Sequence, residues 1–170
     1  MDKLIEVIKY ICSLRSWILT IFAISIFLFT IYSVTAGILP VLYRIGLGLT
    51  KRKIALFSES EFTSLRGLLV DSGLFKEKNI VQIDKNSIHK AECFSLFIVY
   101  WLEFSDKLDI ILQKKKDKTP LVIYAPQDKG KIDQKQLEKI NQHRNVIVVN
   151  FRGRLINDIL VSLMTTGFKK

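Results

Sequence analysis

Cysteine and histidine are scarce in this chain: 2 of each among 170 residues. Cys12 and Cys93 are too few and too far apart for a disulfide framework or a zinc site, which suits a reducing compartment. His89 and His143 stand apart from each other and from companions at metal-ligand spacing, so no metal ligand is expected. Ser58 has no histidine in a recognisable nucleophile arrangement with it. A glycine-rich phosphate loop is missing too. The first apolar run of the C-terminal part leads into "SESEF", which matches neither the dinucleotide fingerprint nor a P-loop. There is no internal repeat and no low-complexity tract. Acids are in the minority, with 16 Asp and Glu against 26 Lys and Arg and a net charge of +10. The densest basic run, Lys114 to Lys116 with Lys118, carries no interleaved aromatic residues on which bases would stack, so no nucleic-acid partner is expected. Those lysines close a helix pattern, where cations are favoured.

Charge itself is missing from Ser16 to Tyr43, "SWILTIFAISIFLFTIYSVTAGILPVLY". About 20 apolar residues in a helix cross a hydrocarbon core of roughly 30 Å, so the run predicts a transmembrane helix over 16–43. A core helix would show a polar stripe; here there are only scattered Ser and Thr, whose hydroxyls can bond back to the helix. A signal peptide cut after Val34-Thr35-Ala36 is the alternative, but the apolar character continues past that point. Basic residues are denser after the span, at Arg44 and Lys51-Arg52-Lys53, than before it, at Lys3, Lys9 and Arg15. The positive-inside rule then places the C-terminal part in the cytoplasm, single-pass at a cell inner membrane, with Lys51 to Lys53 against anionic headgroups.

Four segments follow. Residues 1–15 form an amphipathic segment with Leu4, Val7, Ile11 and Leu14 on one helical face. It would lie in the membrane interface, extend the spanning helix, or pack against copies of itself. The span follows, then a basic connector over 44–52, with Pro40 kinking the helix just before it. Residues 53–170 alternate strand and helix signals. Continuous apolar runs at 53–57, 79–83, 95–101, 119–125 and 145–151 read as strands. Helices are expected from a capping box at Ser58 and Glu61 to Gly73, over Phe104 to Lys116, from a second capping box at Asp133 and Gln136 to His143, and over Leu155 to Thr166. Strands of this kind separated by helices predict an α/β fold, a five-stranded parallel flavodoxin-like sheet in the order 2-1-3-4-5 with helices on both faces. "DKNSIHKAECF" is short for a full crossover helix.

In such a sheet, ligands bind beyond the carboxyl ends of the strands. That rule nominates Ser58, Glu59, Trp101, Glu103, Gln127, Arg152 and Arg154 as ligand-binding residues. Arg152 and Arg154 flank a glycine where the fifth strand leads into a helix, and guanidinium forks there suit a phosphate or carboxylate. The plain alternative pairs one arginine with Asp158 and leaves the other in water.

The soluble part resembles two families of five-stranded cytoplasmic modules. Against response-regulator receivers, "FSES", "VYWLE" and "VVNFRGR" lack the acid pocket, the phosphoacceptor aspartate and the lysine, so phosphoryl acceptance is not expected. Over roughly residues 53–170, the strand-helix order with "KIALFSES" and "TPLVIYAP" resembles the Toll/interleukin-1-receptor-like domains of bacterial immunity proteins. NAD-cleaving members carry a glutamate on the helix after the third strand; Glu103 is the nearest match and precedes the expected helix, outside the usual serine-tryptophan context. The layout also resembles Rossmann-like sensors of cyclic oligoadenylates, some of which are fused to a membrane helix. These resemblances imply a membrane-anchored signalling or anti-phage defence effector. Its cytoplasmic domain would sense an anionic nucleotide or a partner, and its helices would oligomerise and perturb the bilayer. No cofactor and no catalytic residue is expected. The alternatives are a membrane-tethered NAD or nucleotide hydrolase using Glu103, and a passive adaptor recruiting another protein.

Overall fold

The computed structural model describes residues 2–39, 46 and 52–166. The expected kink at Pro40, Arg44, Lys51 and the last four residues lie outside the described residues. Two compact units result, Met1–Tyr43 and Arg44–Lys170.

In the first unit, helix α1 (Asp2–Ser33) runs without a break and continues as a π-helical turn over Val34–Ile38. The patterned segment from Asp2 to Arg15 and the apolar stretch thus share one continuous helix. The stretch Trp17–Gly37 is 21 residues long, has a mean hydropathy of 2.2, and none of it is buried. At about 1.5 Å per residue it extends roughly 30 Å, so this one helix near the N-terminus is long and apolar enough to cross a membrane. Its scattered hydroxyls bond inward. Ser25 donates to the Ile21 carbonyl and Thr30 to that of Ile26, both at 2.8 Å, and Thr35 donates to Tyr32 at 3.0 Å. Polar side chains satisfied in this way do not interrupt an apolar surface.

The second unit is an α/β layer structure. Strands β1 (Ile54–Phe57), β2 (Ile80–Gln82), β3 (Leu96–Tyr100), β4 (Leu121–Tyr124) and β5 (Val146–Val149) form one parallel sheet in the order β2-β1-β3-β4-β5. Ile54 pairs with Ile80 on one side and Leu96 on the other, and Leu121 with Val146. The order 2-1-3-4-5 is the one expected. It follows because every residue of β1, β3 and β4 is buried, which demands cover on both faces and hence crossovers rather than hairpins. Side chains alternate between two cores, as the two-residue strand period requires. Ile54, Leu56, Leu96, Ile98 and Val122 meet Leu65 and Leu69 of helix α2 (Phe62–Asp71) and Leu155 and Ile159 of the closing helix, Leu155–Thr165. Ala55, Phe57, Phe97, Val99 and Ile123 meet Ile88 and Ala91 of a 3₁₀ crossover (Ile88–Cys93), together with Phe104, Leu108, Ile111 and Ile140. That crossover is short, as its sequence suggested.

Three local expectations change. Helix α2 begins at Phe62 rather than being capped by Ser58, whose Oγ accepts from the Glu61 amide at 3.1 Å while the hydroxyl lies buried at the end of β1. The amides of Glu59 and Ser60 are bound by Glu103, and the helix starts two residues on, at Phe62. The single helix expected over Phe104–Lys116 is three pieces: α3 (Trp101–Phe104), a 3₁₀ turn (Ser105–Lys107) and α4 (Leu108–Lys114). Trp101 therefore opens a helix rather than closing a strand. Elsewhere α5 (Gln134–Gln142) carries the Asp133–Gln136 capping box, and Gly73, at φ +70°, ends α2. The closing helix is α6.

The third change concerns Arg52, expected at headgroups. It is 4% exposed and turned into the protein. Its guanidinium donates to the carbonyls of Leu163 (3.3 Å) and Thr166 (2.9 Å) and to the Thr166 hydroxyl (3.5 Å). The last carbonyls of α6 have no partner within the helix and attract a cation, so the arginine is bound there rather than displayed.

Candidate functional site

The chain enters the sheet at Lys53, and the carboxyl ends of the five strands lie along the opposite edge. Because β1 and β3 are neighbours, the loop after β1 meets the turn after β3. There the Glu103 carboxylate accepts from the amides of Glu59 (2.5 Å) and Ser60 (2.9 Å) and from the Ser60 hydroxyl. Gln82 steadies the same loop by donating from Nε2 to the Ser58 carbonyl at 2.9 Å. Burial alone would raise the Glu103 pKa; the amides of Glu59 and Ser60, with the Ser60 and Ser58 hydroxyls, outweigh it and hold the carboxyl below its ordinary value. Glu103 is thus an internal anion seated on the first loop. Next to it, burial first and then the charges of Glu61 and Glu103 push the Tyr100 phenol up, which keeps it a neutral hydrogen-bond donor.

Replacing Glu103 by glutamine removes the charge while keeping the shape. It is expected to destabilise the 58–60 loop by about 1.5–3 kcal/mol, as for hydrogen bonds to a charged group. Faster amide exchange at Glu59 and Ser60 measures it. A depressed carboxyl pKa stabilises the folded state above its unfolded value and loses that stabilisation as pH falls through the folded one. The protection in the wild type should therefore fade as pH falls below the ordinary carboxylate range, and the glutamine variant should lack that fade.

The two arginines part company. Arg152 reaches across to α2, donating to the Ser64 carbonyl (3.0 Å) and hydroxyl (2.6 Å) with Glu61 at 3.6 Å. Its ionic partner is Glu61, not Asp158. Arg154, on the same 3₁₀ turn (Arg152–Arg154), is exposed and makes no ion pair or side-chain hydrogen bond among the described residues. The forks therefore do not converge on one anion.

Trp101 is 3% exposed, and its indole N–H donates to the Lys131 carbonyl at 3.3 Å, so it braces the loop after β4 rather than facing a ligand. Gln127 lies in that loop, its amide donating to the Asn150 carbonyl at 3.3 Å. Comparison with family models, curated proteins and solved structures finds no match to this chain.

The nominated residues thus fall into separate groups: Ser58, Glu59 and Glu103 at β1 and β3, Trp101 buried behind the loop after β4, Gln127 beside Asn150 at β4 and β5, Arg152 bonded to Ser64 and Glu61, and Arg154 alone. No group of three or more His, Cys, Asp or Glu side chains suited to a metal gathers among the described residues. Ser60 and Asn150 lie in the loops that the strand-end rule nominates, while Tyr100 and Lys131 were passed over. The signal for Tyr100 was its place at the end of β3; Lys131 carries none, since its carbonyl is the group engaged.

Proposed function

We propose that this chain is a membrane-anchored, non-catalytic signalling or defence effector. Its apolar helix spans a cell inner membrane, and its α/β unit lies in the cytoplasm and responds to an anionic ligand or partner at the carboxyl edge of the sheet. Several copies associate through their helices and perturb the bilayer. The observation that carries the reading is a pairing: an uncovered 21-residue apolar helix, joined to a parallel sheet whose one candidate catalytic carboxylate is already bound by its own loop. The excess of 26 basic over 16 acidic residues fits a cytoplasmic face beside anionic lipid.

The rival is a nucleotide hydrolase of the Toll/interleukin-1-receptor-like type, which requires Glu103 to release Glu59 and Ser60 and meet substrate. Expression in cells with a potential-sensitive dye tests the effector: depolarisation dependent on residues 17–37 is expected, and an unchanged potential with a monomer in detergent contradicts it. Incubation of the purified chain with NAD tests the rival, for only an enzyme gives turnover that Glu103→Ala abolishes.

A further inference from the structure

We propose that the cleft between the loop after β4 and the end of β5 binds a flat ring carrying a phosphate or carboxylate, a ligand of nucleoside monophosphate type. This rests on the sensor reading and moves its ligand away from the β1–β3 junction, where Glu103 already fills the loop amides. The cleft encloses about 450 Å³, within the range of roughly 300–1,000 Å³ usual for small-molecule sites. Its lining combines three chemistries. Ile132, Leu137 and Val148 are apolar and only half covered by the fold, which leaves them able to take the face of a ring. Gln127 and Asn150 bring primary amides, each offering a donor pair and an acceptor in one plane, the pattern that reads a heterocycle's edge. Neither side-chain amide has a hydrogen bond among the described residues. Lys129 and Lys131 stand exposed at the lip against one acid, Asp128, and none of the three is in an ion pair among the described residues. Two unpaired ammonium groups beside a half-covered apolar floor call for a ligand that is apolar at one end and anionic at the other.

The loop is built to hold this shape. The amides of Lys129 (3.1 Å) and Gly130 (2.5 Å) both donate to the Pro126 carbonyl, folding the chain back onto the end of β4. A Cβ on Gly130 would stand 2.6 Å from the Ala125 carbonyl carbon, a backbone atom that cannot yield, so glycine alone allows the approach. Trp101 pins the far end through Lys131. The indole is therefore coupled to the cleft without lining it, and it can report on it.

The chain has 2 tryptophans, so Trp17→Phe leaves Trp101 as the only indole in the full-length protein in detergent. Titration with AMP, GMP, UMP and CMP, each alone, is expected to give a saturable change in Trp101 fluorescence with at least one of them. Inorganic phosphate and adenosine should give none at the same concentration. Lys131→Ala should weaken the response about tenfold, a change equivalent to about 1.4 kcal/mol. Gly130→Ala should abolish it while circular dichroism still shows a folded sheet. Glu103→Gln should leave it unchanged. No saturable response to any mononucleotide at millimolar concentration, by fluorescence or by calorimetry, overturns the proposal. So does an equal response to phosphate alone, which marks a plain basic surface. Affinity that is lost in Glu103→Gln and kept in Lys131→Ala also overturns it, while leaving the sensor reading intact with its ligand at β1 and β3. Recovery of the chain from the aqueous fraction counts against the anchored effector and leaves the cleft untouched.

Discussion

Replacing Phe57 with alanine is expected to lower the stability of the α/β unit by about 3–5 kcal/mol. The ring is 0% exposed on β1, which is flanked by β2 and β3. It lies 5.4 Å from the Phe97 ring at 59° and 5.7 Å from Phe104 at 77°, an edge-on contact. These contacts add aromatic pairing to the lost transfer free energy. No neighbouring strand can shift to refill the space without breaking sheet register. A domain of this size is stable by about 5–15 kcal/mol, so the variant should unfold at markedly lower urea. Phe57→Leu should lose much less, because it leaves a smaller void. A loss under about 1 kcal/mol in Phe57→Ala, read from the urea midpoint of the full chain in detergent, would place this residue outside the core. The consequence reaches the site, since Phe57 precedes Ser58 and fixes where the Glu103-bound loop begins.

Arg52→Ala should lower stability by about 2–4 kcal/mol, more than a surface arginine warrants. The guanidinium is buried and serves the end of α6, so its removal strands the carbonyls of Leu163 and Thr166. Lysine at this position supplies a charge without the fork and should recover only part of the loss. Thermal melts of the full chain in detergent and in anionic vesicles separate two roles. An arginine that caps α6 gives the same drop in both. One that sits at headgroups gives no drop in detergent and a weaker association with anionic lipid.

Architecture was legible in the sequence because strand and helix periods are local properties. The five apolar runs, the Asp133 cap and Gly73 each carry their own signal, and crossover handedness then left few orders for the strands. The loop at Ser58 and the turn at Trp101 were not legible, since each is held by a long-range contact, one to Glu103 and the other to Lys131. Glu103 captures the amides of Glu59 and Ser60, and no feature near "SESEF" announces a carboxylate 43 residues away. Arg52 misled for a similar reason. Between two lysines it reads as part of a basic cluster, and only the tertiary fold brings the end of α6 to it. At the candidate edge, the rule about strand ends nominated suitable loops without their pairing. It could not foretell that Arg152 would be spent on Glu61 and Ser64, or that Gln127 would share a cleft with Asn150.

Protease protection on sealed inside-out inner-membrane vesicles and on spheroplasts, with an alkaline carbonate wash of a separate membrane sample, tests the central claim most directly. The chain is predicted to stay in the pellet through Trp17–Gly37. Its C-terminal unit should be cut in inside-out vesicles and spared in spheroplasts. Release into the wash, or cleavage of that unit from outside intact spheroplasts, would contradict it.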